Sequence, residues 1–413
     1  MAKILLAWEL GANYGHVSRC LRIALALWER GHEVLFAVRD TRPATEILGQ
    51  SGMPFVQAPL PIRPARLRRP PANYSELLLA EGYSDPLLLQ GLLRGWLGLM
   101  QLHRVDVLLA DHAPTALLAG QIAGVPALAV GNGFSIPPNV TPWPSIRPWE
   151  DIPAARLEYA DRAVHATVIA ACKGLGKVAP SWPEIFGANA LLDTFPELDH
   201  YSNRAGGNYI GPICAPSQQK TDRAPAWNAI GGKKVLAYLR PGIAGFSALM
   251  AVLNANGTQT IAVIPGLPVA EAKRLAAPHL RIALRSIPLQ HLLKSADVAI
   301  SYGSGGFTAE ALLAGKPMLL LPQFVEQYLG ARQVEALGAG IVIGEDRTQE
   351  NITTALERLL NESALKNAAQ AFAARHADYR PADAIQRAVL ALESMINRTD
   401  NHREPPLPVA LNG

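Results

Sequence analysis

Residues 301–340 read SYGSGGFTAEALLAGKPMLLLPQFVEQYLGARQVEALGAG, and this stretch decides the fold. A short apolar strand ends at Ser301, the chain turns tightly through Gly303-Ser304-Gly305-Gly306, and a helix begins at about Phe307. Gly315 and Pro317 end that helix, and a second strand, Met318–Leu321, delivers Pro322-Gln323-Phe324-Val325-Glu326-Gln327 into another helix. Strand, turn, helix, strand is the unit of a parallel sheet covered on both faces. The glycines let backbone N–H groups approach an anion, and the helix N-terminus adds a favourable dipole, so a phosphate or diphosphate is the expected guest. The plain alternative is a tight turn with no ligand. Glu326 and Gln327, a carboxylate and an amide at a strand end, suit the paired hydroxyls of a sugar; otherwise they are a helix-start charge and its solvated neighbour.

The same rhythm runs outward in both directions. Residues 3–8 (KILLAW) read as a buried strand, followed by a glycine-punctuated loop from Gly11 to Gly15. A helix with Leu21, Ala24, Leu25 and Trp28 on one face comes next, closed by Gly31, and then the strand 33–38. Further strands are expected at 105–110 and 126–130, with a helix over 114–123 between them. A second series has strands at 235–239, 260–264, 298–301 and 318–321, with helices near 244–255, 306–314, 326–337 and 363–397. These patterns predict an α/β chain of two Rossmann-like, doubly wound parallel-sheet domains facing across a cleft. The expected boundaries are 1–215 for the first domain, 216–232 for a proline-bearing linker and 233–380 for the second domain. A terminal helix, 381–398, packs back on the first domain in this reading, and 399–413 is a tail. Ligands of open parallel sheets sit beyond the carboxyl ends of the strands, so the loops there matter most.

Composition narrows the classes. The 413 residues allow two domains or more at about 150 residues each. With 49% apolar and 17% charged residues the chain has material for large cores and little for disorder. A net charge of only +4 excludes a nucleic-acid binder built on basic surface. Cys20, Cys172 and Cys214 are isolated from one another, without metal spacing or a disulfide framework, which fits a reducing cytoplasm. The apolar run at the start is too short for a signal peptide, and the uncharged stretch 113–134 is broken by Gln121, Gly124, Pro126 and Asn132.

The extended pattern of 301–340 resembles the donor signature of GT-B-fold glycosyltransferases of family 1, the UDP-glucosyl-, glucuronosyl- and bacterial antibiotic transferases. Gly303, Gly306, Glu310, Ala311, Gly315, Pro317, Pro322, Gln327, Ala331, Val334, Leu337, Gly338 and Gly340 stand in register with it. The resemblance implies that Glu310 holds the ribose hydroxyls of a nucleotide sugar. Tyr302, Gly303, Ser304, Gly305, Gly306 and Thr308 would cradle its diphosphate, and Glu326-Gln327 its sugar. Ser286-Ile287-Pro288-Leu289 is similar to the segment against the base, which assigns Ile287 there. Tyr302 replaces the family's phosphate-binding His, Ser304 a Gly, Phe307 a hydroxyl residue and Glu326 an Asp. Arg240, beyond the first strand of the second series, could bind the diphosphate bidentately in that histidine's stead, or be an ordinary surface Arg.

Asn13-Tyr14-Gly15-His16-Val17 is similar to the family's amino-terminal Gly-His, whose histidine deprotonates the acceptor. A neutral imidazole fits that task, with an ordinary pKa of about 6.5. Asp111 is placed like the carboxylate that orients the base, and His112 is the neighbouring competitor. A helix-start or core role for His16 is the alternative. The resemblance implies inverting transfer from a UDP- or dTDP-sugar to a small, partly apolar acceptor, with neither metal nor resident cofactor. No nucleic-acid partner is expected. Four arginines, Arg63, Arg66, Arg68 and Arg69, in an acid-free stretch, and the leucine-rich segment 87–97, leave peripheral membrane contact open against a solvated loop and a core helix. Trp143 and Trp149 in the proline-rich loop 133–153 suggest an aromatic or apolar acceptor surface. A serine hydrolase is excluded because Tyr302 stands where the nucleophile elbow needs Gly. A sugar-nucleotide epimerase and a non-catalytic partner of a true transferase remain the rival readings.

Overall fold

In the computed structural model, residues 1–12, 14–181, 184–187, 190–202, 204–213, 225–227 and 232–402 are described, and they cluster into two units. The first comprises 1–193, 205–210 and 382 onward; the second comprises 194–204 and 211–381. Segment 194–204 therefore groups with the second unit, not with the first as a boundary at 215 has it. Helix Pro381–His402 groups with the first unit in all but its first residue. Asn13, Cys214, most of the linker 216–232 and the end of the tail lie outside the described residues.

The first unit is built on β1 (Lys3–Trp8), buried along nearly its whole length because helices cover both faces. After it come α1 (Tyr14–Glu29), β2 (Glu33–Val38), α2 (Thr41–Leu48), β3 (Phe55–Gln57), α3 (Tyr74–Leu78) and α4 (Pro86–His103). Next are β4 (Val107–Asp111), α5 (Pro114–Ala123), β5 (Ala127–Gly131), α6 (Ala154–Gly174), β6 (Leu191–Leu192) and β7 (Asn208–Tyr209). The sheet order is β3-β2-β1-β4-β5-β6-β7, parallel throughout. The order reverses between β1 and β4, so the loops after these two strands open side by side; Trp8 pairs with Asp111 in the ladder.

The second unit contains β8 (Lys234–Tyr238), α7 (Phe246–Ala255), β9 (Gln259–Val263), α8 (Val269–Leu275), β10 (Leu280–Ala283) and α9 (Gln290–Ser295). It continues with β11 (Val298–Ser301), α10 (Gly305–Leu313), β12 (Met318–Leu320), α11 (Val325–Ala336), β13 (Gly340–Val342), α12 (Gln349–Asn361) and α13 (Ser363–Arg375). Helix α14 (Pro381–His402) follows. The order β10-β9-β8-β11-β12-β13 is again parallel and reverses between β8 and β11.

Several expectations change. Helix α1 buries Val17, Cys20, Leu21, Ile23, Ala24 and Leu27, while Trp28, expected on the inner face, is 63% exposed and Leu25 half-buried. The run 363–397 is two helices, because Pro381 cannot continue α13. The segment 87–97 belongs to α4, whose Leu89, Leu93 and Trp96 are fully buried, while Arg63, Arg66, Arg68 and Arg69 are all solvated. Trp143 is core, not surface: its ring meets Tyr74 edge-on, and its backbone N–H donates to Asp161 at 2.8 Å. Among the described residues, no helix is long and apolar enough to cross a membrane.

Candidate active site

The switch point of the first sheet carries the dyad. His16, in the first turn of α1, sets Nδ1 2.9 Å from Oδ1 of Asp111, the last residue of β4. The imidazole is 12% exposed and the carboxylate fully buried. Trp8 stacks under the His16 ring at 5.4 Å and 18°, with its indole N–H donated to the Leu10 carbonyl. With Nδ1–H donated to Asp111, the lone pair is on Nε2. That nitrogen lies against Gly11, where φ is +80° and a Cβ would come within 2.4 Å of it. Only glycine fits here on both counts.

A third group, absent from the sequence-level assignment, holds Asp111. Arg19 grips the carboxylate with Nε at 2.8 Å and Nη2 at 2.9 Å, and its Nη1 pairs with Asp193 just after β6. Burial pushes the Asp111 carboxyl up, but Arg19 and then His16 outweigh it and hold the group well below the ordinary range. His112, at φ +48°, tilts toward His16 at 5.9 Å; burial first and His16 second push its pKa down to about 3. A ring that stays neutral at working pH and has a buried, unpartnered Nε2 is a poor rival for the base. The loop after β4, which bears His112, is anchored by Glu9, whose two carboxyl oxygens accept the N–H groups of Thr115 and Ala116 at 2.8 Å each, while burial pushes the carboxyl up to about 8. Helix α5 has no side-chain cap of its own, so this carboxyl, reaching across from the end of β1, caps it.

The second switch point assembles the residues expected for a donor. Ser301, at the end of β11, accepts from the N–H groups of Gly303 (3.1 Å) and Ser304 (3.4 Å) and shapes the turn. Gly303 takes φ +86°, and a Cβ there would meet Gln327 at 3.1 Å. Gly305 and Gly306 open α10, exposed and with room around them for a close approach to the backbone. Arg240 lies over the Tyr302 ring, 5.2 Å from its centroid, and both Ser304 and Arg240 hydrogen-bond the phenol. Phe307 stacks on Tyr238 at 5.4 Å and is 4% exposed, so it is a core side chain. Thr308 is also largely buried, while Glu310 and Glu326 are half-buried. The Gln327 side-chain oxygen Oε1 accepts from the Gln323 backbone N–H at 2.9 Å.

The structure shows where one expected donor residue points. Ile287, expected against the base, is buried among Leu289, Leu292 and Phe307, so its side chain packs the interior. Two supporting residues escaped the sequence. Arg347 bonds the carbonyls of Gly344 (2.7 Å), Ala244 (2.8 Å) and Pro322, tying three strand-end loops together. Gln323 accepts from Ala244 N–H at 2.8 Å. Neither carries a local sequence signal for these longer reaches, because Arg347 meets Ala244 103 residues away and Gln323 meets it 79 residues away. Among the described residues, no three His, Cys, Asp or Glu side chains are grouped to hold a metal ion.

Comparison with known proteins agrees with this architecture. Residues 252–391 match the family model described as the erythromycin biosynthesis protein CIII-like C-terminal domain. A Mycobacterium tuberculosis PGL/p-HBAD biosynthesis glycosyltransferase is 24% identical over 382 residues, covering 88% of this chain and 86% of that protein. The spinosyn rhamnosyltransferase SpnG superposes with a TM-score of 0.66 at 20% identity, covering 95% of this chain and all of that one. SpnG has also been solved with thymidine diphosphate and with spinosyn aglycone. The calicheamicin glycosyltransferase CalG4 gives 0.67 at 18% identity, over 96% and 98% of the two chains. The fold is GT-B.

Proposed function

We propose that this chain, a glycosyltransferase by its relatives and of GT-B fold, transfers a sugar from a nucleoside diphosphate to an acceptor hydroxyl by a single inverting displacement. The observation that carries the reading is the His16–Asp111 pair at the first switch point, with a glycine where any side chain would collide with Nε2. His16 Nε2 takes the acceptor proton as the hydroxyl oxygen attacks the anomeric carbon. The bond from that carbon to the diphosphate oxygen breaks, and the nucleoside diphosphate leaves with the electron pair. Asp111 fixes the tautomer and stabilises the imidazolium that forms.

On the second unit, the first-turn amides of α10 and the Arg240 guanidinium take up the negative charge of the leaving diphosphate. Tyr302, in place of the family's histidine, orients Arg240 and Ser304 through its hydroxyl. Glu310 is assigned to the ribose and Glu326 with Gln327 to the sugar hydroxyls. The reading requires no divalent cation, since Arg240 and the helix dipole supply the positive field. Support for a nucleotide donor and a small-molecule acceptor comes from SpnG, solved with thymidine diphosphate and with an aglycone.

The test is a panel of UDP- and dTDP-sugars with hydroxyl-bearing acceptors, read by mass spectrometry, with the product's anomeric configuration read by NMR. Transfer with inversion is expected. Retention of configuration, or rearrangement of the donor without transfer, contradicts the proposal.

A further inference from the structure

The dyad belongs to a buried set of four charges. His16 and Arg19 are one helical turn apart on α1, so both project toward β4. Asp111 shares one carboxylate oxygen between them: Oδ1 faces His16 Nδ1 and Arg19 Nη2 at 2.9 Å each. Arg19 Nη2 lies 3.3 Å from His16 Nδ1, and Nη1 is paired with Asp193. Asp193 is held from the other side by its backbone N–H, donated to the Gly131 carbonyl at 2.9 Å. The side chains of Arg19 and Asp193 are 12% and 8% exposed, so solvent screens the set poorly.

Counting charge gives the consequence. With both carboxylates ionised, Arg19 cationic and His16 neutral, the set carries one excess negative charge. When His16 accepts a proton, the set is neutral. A bare Asp111–His16 pair has the same total but no cation beside the ring; here Arg19 Nη2 sets positive charge 3.3 Å from His16 Nδ1 and opposes a resting imidazolium. An Arg19–Asp111–His16 triplet without Asp193 would become net positive on protonation and so oppose it. Other groups facing His16 do not alter the count. Cys20 on α1 is a buried thiol pushed up by burial and by Asp111; His112, in the loop after β4, is neutral at working pH; Trp8 is uncharged. Arg39 is felt at His112.

We propose that Arg19 and Asp193 are positioning residues of the transfer reaction: Arg19 fixes Asp111 against Nδ1 and keeps the resting imidazole neutral, and Asp193 cancels the charge of Arg19 when the acceptor proton arrives. This inference rests on His16 being the base.

The two residues are expected to act in opposite senses, which a merely structural role would not produce. Asp193→Asn leaves Arg19 uncompensated, so the titration midpoint of His16 moves down by about one pH unit. The acid limb of the kcat profile moves with it; kcat at its plateau drops about threefold with a weaker base, and the nucleotide-sugar KM is unchanged. Arg19→Gln leaves Asp111 uncompensated, and the midpoint moves up by about one unit. The experiment is an NMR pH titration of 13C-histidine-labelled full-length wild type and both variants, with the His16 signal assigned by its loss in His16→Ala. Opposite shifts support the proposal; shifts of one sign, or none, overturn it. If Arg19→Gln does not fold, Asp193→Asn decides alone, a downward shift supporting and an unmoved midpoint overturning. Transfer persisting in His16→Ala removes the base reading and the catalytic meaning of the set together. An inactive His16→Ala with unmoved midpoints overturns only the Arg19–Asp193 proposal.

Discussion

Gly11→Ala tests the geometry of the base more sharply than removing the base does. At this position an added Cβ would sit 2.4 Å from His16 Nε2 and 3.2 Å from Cε1, against an ordinary contact of 3.4 Å or more. Relieving the overlap needs a displacement of the imidazole or the loop by about 1 Å, and a misplacement of that size costs about 100-fold in rate. The backbone adds its own penalty, since φ is +80° and a non-glycine residue there loses about 1–2 kcal/mol. For a unit of this size that lowers Tm by about 2–8 °C. Steady-state kinetics with saturating nucleotide sugar, together with a thermal melt, reads both effects. The expectation is a folded variant with kcat down about 100-fold and an unchanged donor KM. Gly15→Ala is the stability control: no atom lies within 4 Å of its added Cβ, and within α1 it should gain up to about 1 kcal/mol. A Gly11→Ala enzyme with wild-type kcat refutes the placement of Nε2 against Gly11.

His112 gives a pH signature. Its folded pKa is depressed from 6.5 to about 3, so between those values the unfolded chain binds a proton that the native protein does not. Stability is full above the unfolded value and falls with decreasing pH, by about 2 kcal/mol between pH 6.5 and pH 5. His112→Asn, which keeps a residue tolerant of positive φ, should flatten the urea-midpoint profile over that range; an unchanged slope contradicts the assignment. Arg240→Ala should raise the calorimetric Kd for the free nucleoside diphosphate about 10-fold or more, since a charge-assisted contact is lost, and equal affinity removes Arg240 from the donor site. EDTA should leave the transfer rate unchanged; loss of rate restored by added Mn²⁺ or Mg²⁺ would show that a cation does what is here given to Arg240.

The fold was legible wherever burial covers both faces of an element. β1, β2 and β11 read as short, largely apolar runs and α5 as a mostly apolar one that contains Thr115 and Gln121, and their ends coincide with the sequence reading or nearly so. Strands β6 and β7 are two residues long, too short to show any periodicity, and β3 is only partly buried. On α1 the apolar spacing Leu21, Ala24, Leu25, Trp28 overlaps the buried face Val17, Cys20, Leu21, Ala24, Leu27, and periodicity alone does not choose between them. At the site, His16 and Asp111 were visible because each follows a recognisable strand. Arg19 left a weaker trace: a cation among the apolar residues Val17, Cys20 and Leu21 needs a buried carboxylate. Asp193, which pairs with it from 174 residues away, left none. Phe307 and Ile287 show the opposite case. Ile287 takes its expected place against the base from a motif, and Phe307 stands where that motif has a hydroxyl residue; both side chains pack the second unit's core.

The assignment of His16 as base is tested most directly by comparing donor binding and turnover in one variant. Calorimetry with the nucleotide sugar that the wild type uses should give His16→Ala an unaltered Kd, while released nucleoside diphosphate in the presence of acceptor falls by at least about 100-fold. Turnover in His16→Ala equal to that of the wild type would contradict the account at its centre.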